Sequence, residues 1–105
     1  MTTGTWLPMR YRDFYDVPRL VAVEYHGRVY LFDSPFDDRL DDYADEYAVY
    51  RLPKAEVASL DNPSWEGLVA ASEQIGTVKV SDVTFDETGR ACLNDSVFTR
   101  LSGRY

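Results

Sequence analysis

Asp13 and Asp16 stand three residues apart in the stretch DFYDVPR, with Tyr15 between them and Arg19 closing the segment. Two carboxylates at that spacing, beside a phenol and a guanidinium, would support acid–base chemistry if a cleft buried them. Asp is equally a turn former, and Pro18 fixes a turn here. Asp13, Asp16 and Arg19 are therefore the candidate catalytic residues of a small enzyme, set against a plain loop. No phosphate-cradling glycine loop, nucleophile elbow or metal-ligand spacing accompanies them.

A second concentration of chemistry follows in SPFDDRLDDYADEY. From Asp33 to Glu46 there are seven acids and one base, Arg39, so this segment carries −6 of the formal net charge of −7. Asp37, Asp38, Asp41, Asp42, Asp45 and Glu46 are the candidate partner-binding residues. Their field would steer a basic partner and speed its association. The alternative is a solvated face that keeps the protein dispersed. As a calcium loop the run fails: started at Asp33, its sixth position is Asp38 and its twelfth Ala44, where Gly and Glu are needed. No metal site and no cofactor are expected.

His26 falls between two β-rich runs and is expected in a tight turn, where histidine tolerates positive φ. Cys92, the only cysteine, is flanked by Ala91 and Leu93 and reads as a small apolar residue in a strand. Arg10, Arg12 and Arg19 alternate with Trp6, Tyr11, Phe14 and Tyr15, a mixture that can stack on single-stranded nucleic acid. Asp13, Asp16 and the acidic total oppose that reading, so nucleic acid is not expected. The same arginines could instead pair with the acidic run.

The elements that would carry these residues follow from patterning. At 105 residues, 45% hydrophobic and 14% aromatic, the chain is one globular domain, residues 1–105, rather than a disordered segment. RLVAVEYHGRVYLFDS gives a hairpin over 19–33, with Val23 facing Tyr30, Ala22 facing Leu31 and Val21 facing Phe32. Both of its faces are apolar, so it belongs in the middle of a sheet covered on both sides. Phe36, Leu40, Tyr43 and Tyr47 recur at helical spacing behind a Ser34-Pro35 start, which predicts a short acidic helix or loop over 35–46. EYAVYRLP alternates as a strand. Asn62, Pro63 and Gly76 bracket a main helix over about 63–75, with Trp65, Leu68, Val69, Ser72 and Ile75 on its buried side. Thr77–Val80 and Val83–Phe85 read as strand, DETG as a turn, and Val97, Phe98 and Leu101 as a closing helical turn.

The expected class is thus α+β, a mostly antiparallel sheet with one main helix and a short acidic one. No apolar run approaches the roughly 20 residues that span a bilayer, and the N-terminus lacks the pattern of a signal peptide. With one cysteine there is no internal disulfide. These features lead us to expect a cytoplasmic protein without a membrane partner. The expected function is a small non-catalytic interaction module, of inhibitor or immunity type, that meets a basic protein partner through its acidic segment. A small enzyme working through residues 13–19 and a self-associating, homo-oligomeric structural protein are the alternatives.

Overall fold

The computed structural model describes residues 4–62, 64–65 and 67–103. Three strands lead the chain: β1 (Trp6–Tyr15), β2 (Val17–Tyr25) and β3 (Arg28–Asp33). The turn between β2 and β3 is the expected two-residue one. His26 and Gly27 take φ of 52° and 76°, the left-handed backbone that matches the twist of paired strands. Val23 pairs with Tyr30, Ala22 with Leu31 and Val21 with Phe32, as the alternation requires. The turn between β1 and β2 is tighter still. Tyr15 pairs with Val17 and leaves only Asp16 between them, at φ 66°.

Next come two short strands, β4 (Phe36–Asp37) and β5 (Asp42–Tyr43), which pair only with each other. β6 (Glu46–Leu52) then pairs with β3, and a 3-10 segment, Lys54–Asp61, leads to one turn of helix, α1 (Leu68–Ala71). β7 (Glu73–Lys79) lies against β6, β8 (Cys92–Asn94) against the start of β1, and β9 (Ser102–Gly103) against β7; the short helix α2 (Val97–Arg100) joins the last two strands. Six strands make one antiparallel ladder, β1-β2-β3-β6-β7-β9, and β8 extends it through Trp6, Leu7 and Pro8.

This overturns the α+β class. Strand residues make up 47% and helical residues 20%, and the molecule is a small antiparallel β domain. The main helix expected over 63–75 shrinks to Leu68–Ala71, and Pro63, its expected first residue, lies outside the described residues. Glu73 and Gln74 are drawn into the ladder opposite Arg51 and Tyr50, because the open edge of β6 satisfies their backbone groups. The apolar stripe divides accordingly. Trp65, Leu68 and Val69 stay on one face of the sheet, while Ile75 crosses to the other. Val83–Phe85 is not a strand; only Phe85 makes a bridge, to Leu93.

The acidic helix over 35–46 is a two-stranded hairpin, with Phe36 opposite Tyr43 and Asp37 opposite Asp42. Ser34, expected to cap the helix, is buried and ties the hairpin to the sheet. Its hydroxyl donates to the Ala44 carbonyl at 2.7 Å and accepts from Arg19 at 3.2 Å. Its backbone N–H donates to the Arg19 carbonyl. A late helical turn carrying Asp41, Asp42 and Asp45 would also have set carboxylates against the negative end of the helix dipole.

The sheet curls. A flat row of seven strands is about 29 Å wide at ~4.8 Å per step. Asn94 and Ser102, on opposite edge strands, are joined through α2 by a path that spans only about 20 Å. α2 therefore draws the edges together and sets Val97 and Phe98 into the concave face. There they pack with Val21, Val23, Tyr30, Phe32, Tyr47 and Val49. Phe98 stacks on Tyr25 at 4.0 Å and meets Tyr30 and Phe32 edge-on. The convex face, Ala22, Val29, Leu31 and Leu52, is roofed by Leu60, Trp65 and Leu68. The central hairpin is thus covered on both sides. Among the described residues no helix is long and apolar enough to cross a membrane.

Candidate functional site

The two chemical segments singled out in the sequence meet at one end of the sheet. β2 starts there, β3 ends there, and the β4–β5 hairpin projects between β3 and β6. Asp16, at the β1–β2 turn, and Arg19, three residues into β2, face Asp42, Tyr43 and Asp45 across an open depression of about 650 Å³. Lys79, Val80 and Ser81 close its far side.

Arg19 is the anchor of this end. Its guanidinium carbon lies 4.8 Å from the centre of the Tyr43 ring. Its Nε donates to the Tyr15 carbonyl at 3.0 Å, and a second nitrogen reaches the Ser34 hydroxyl. Tyr15 and Tyr43 lie 5.4 Å apart, and Phe36 meets the same Tyr43 edge-on. Beneath them the buried Tyr47 hydroxyl donates to the Pro18 carbonyl. Burial pushes the Tyr47 phenol above its ordinary pKa against the opposing charge of Arg19, so this group stays a donor.

The carboxylates of the hairpin have few partners among the described residues. Asp37 accepts from the Arg39 N–H at 2.9 Å and pairs with the Arg39 guanidinium at 3.6 Å. Asp42 accepts from its neighbour Tyr43. Asp38, Asp41, Asp42, Asp45 and Glu46 are exposed. Asp41 takes φ 51°, a conformation that Asp tolerates better than most side chains. Two features run against the hairpin's own stability. Asp37 and Asp42 sit directly opposite each other, where like charges repel. Leu40 and Phe36 are 66% and 50% exposed, although both are large and apolar. Tyr15, 56% exposed, and Phe36 both pack on the Tyr43 ring, so exposed apolar side chains and exposed carboxylates occupy the same short hairpin.

The candidate catalytic residues do not converge. Asp16 and Arg19 line the depression, but Asp13 does not. Asp13 and Asp16 are both exposed, and both take left-handed backbone, at φ 61° and 66°. Asp13 acts instead on Asp33, whose carboxyl is held above its ordinary pKa by burial first and by the Asp13 charge second. The N-terminal arginines do not serve the acidic run, apart from Arg19. Arg10 pairs with Asp61 at 2.8 Å, and Arg12 lies over the Trp65 ring at 4.1 Å, so both clasp the roof of the convex face. Among the described residues no three His, Cys, Asp or Glu side chains gather to hold a metal ion. Cys92 is half-buried on β8.

A second depression, of about 820 Å³, lies at the opposite end of the strands. It is lined by Arg28, Arg51 and Lys54 over Val29, Leu52 and Val57. Sequence reading missed it, because its residues come from three distant segments and form no local pattern.

No protein-family model matches the chain, and no curated protein or solved structure matches it.

Proposed function

We propose that this protein is a non-catalytic interaction module whose working surface is the β4–β5 hairpin, docking on a protein with a basic, partly apolar face. An inhibitor of a basic protein, or an immunity-type partner to one, is a concrete form of that role. The observation that carries the reading is the exposure of Leu40 and Phe36 on the same short hairpin as Asp37, Asp38, Asp41, Asp42 and Asp45. A hairpin serving only to keep the molecule dispersed gains nothing from large apolar tips or from Asp37 opposite Asp42. Against a basic partner, both features turn favourable. Apolar tips supply buried contact, and the carboxylates supply steering and register.

Replacing those five aspartates by Asn tests the reading with little disturbance to the fold. Asn can still accept at the two positions, 37 and 42, whose carboxylates take backbone N–H bonds, and it tolerates the φ of Asp41. With wild type and variant as baits at low and moderate salt, a basic protein should be held by wild type and released as salt rises. Affinity for that protein should fall by about tenfold or more in the variant. Identical retention on both baits would remove the hairpin as the working surface.

A further inference from the structure

The depression at the far end of the strands has the properties that the hairpin demands of a partner. Arg28 and Lys54 are exposed, and neither side chain makes an ion pair or hydrogen bond with a described residue. Arg51 is held by Glu73 at 3.0 Å, which neutralises both. Glu24 is the remaining acid on the rim, and His26 stands beside it. The floor is apolar, with Val29 and Leu52 buried and Val57 37% exposed. In a chain of net charge −7, unpartnered cations over an apolar floor stand out.

Strand direction places the two surfaces at opposite ends. β2 runs from Val17 beside the hairpin to Tyr25 beside the depression, about 27 Å at the usual rise per residue. One copy therefore cannot satisfy both surfaces by folding on itself. We propose that the depression receives the acidic hairpin of a second copy of this chain, head to tail. Leu40 and Phe36 enter over Val57, and Asp38 and Asp41 meet Arg28 and Lys54. The proposal rests on the hairpin being a protein-docking surface and names its partner as this chain's own opposite end. The contact is heterologous, so it leaves a free hairpin at one end and a free depression at the other, and further copies can add. Repulsion between copies of like net charge is screened beyond about 8 Å at physiological ionic strength, which leaves the local complementarity to decide.

Sedimentation equilibrium on the full chain tests this, over the roughly 10 µM to 1 mM range suited to small, transient interfaces. A tip variant combines Asp38→Lys with Leu40→Ser, and a depression variant combines Arg28→Glu with Lys54→Glu. All four positions are exposed, and circular dichroism confirms that each variant folds; Leu40→Ser alone and Lys54→Ala alone serve if a double variant does not. Wild type should grow in mass beyond a dimer as concentration rises. Each variant alone should stay monomeric. Mixed together, they should form a one-to-one dimer and stop there, because one supplies only a hairpin and the other only a depression. A wild type that stays monomeric, a wild type that closes as a dimer, or association that survives in either variant overturns the inference. A monomeric wild type whose hairpin still retains a basic protein would remove the self-contact and leave the hairpin reading intact.

Discussion

The guanidinium of Arg19, on the second strand of the sheet, is packed against the ring of Tyr43 on the acidic hairpin, 4.8 Å from its centre. This contact sets where the hairpin projects. Arg19 is bound on its other sides to the Tyr15 carbonyl and the Ser34 hydroxyl, so one side chain couples the β1–β2 turn, the end of β3 and the hairpin. Among the described residues the exposed carboxylates of Asp38, Asp41 and Asp45 make no ion pair.

Arg19→Ala should destabilise the domain by about 2 kcal/mol, from one cation–π contact and two hydrogen bonds at a half-buried site. Urea unfolding measures the loss. The hairpin should loosen more than the sheet, read as faster hydrogen exchange at the Ala44 N–H, which bonds to the Pro35 carbonyl. Arg19→Lys should restore less than half of the stability, because an ammonium cannot stack and fork in the same way.

Two carboxyls should shape the pH dependence in opposite senses. Asp86 is held below its ordinary pKa by the Thr88 hydroxyl first, then by the N–H groups of Cys92, Ala91 and Thr88. Ionised Asp86 therefore favours the fold above the unfolded value near pH ~3.9, and that contribution is lost as pH falls through the folded pKa. Asp33 is raised by burial and by Asp13. The fold loses stability through it as pH rises from the same unfolded value through the folded pKa. Asp86→Ala should flatten the acid limb of a Tm-versus-pH curve. Asp33→Asn should raise Tm at neutral pH and remove the decline above pH ~4. A Tm at neutral pH no higher than that of wild type would contradict the account of Asp33.

Arg12 holds the roof of the convex face. It lies over the buried Trp65 ring and donates to the carbonyls of Tyr11 and Asn62. Arg12→Ala should cost about 1–2 kcal/mol and move the Trp65 emission to longer wavelength as water reaches the indole. Trp6 is 46% exposed and provides a nearly constant background, so the shift reports on the roof.

Much of the sheet's centre was legible in the sequence, because it depends on neighbours. The His26-Gly27 turn and the alternation on each side of it specify the register of the central hairpin without help from elsewhere. The closing turn that gathers Val97 and Phe98 is also local. The helices were misread where a helical period competed with distant partners. Phe36, Leu40, Tyr43 and Tyr47 have helical spacing, yet Tyr43 is claimed by Tyr15 and Arg19, and Tyr47 by Pro18. Ile75 has the spacing of a helix stripe, yet the edge of β6 takes its segment into the ladder.

The sequence by itself determined the His26-Gly27 turn, the pairing of β2 with β3 and the confinement of net charge to residues 33–46, because each depends on residues close together in the chain. The turn it placed at Pro18 falls at Asp16 instead, with Pro18 paired to Phe14 inside the ladder. The tertiary structure alone decided that Asp16 and Arg19 would share a surface with Asp42 and Asp45, and that the Asp13 charge would act on Asp33. It also decided that Arg28 would meet Arg51 and Lys54 at the opposite end. Those juxtapositions arise when strands of fixed length and alternating direction are laid side by side and curled by a short closing segment. No spacing within the chain encodes them.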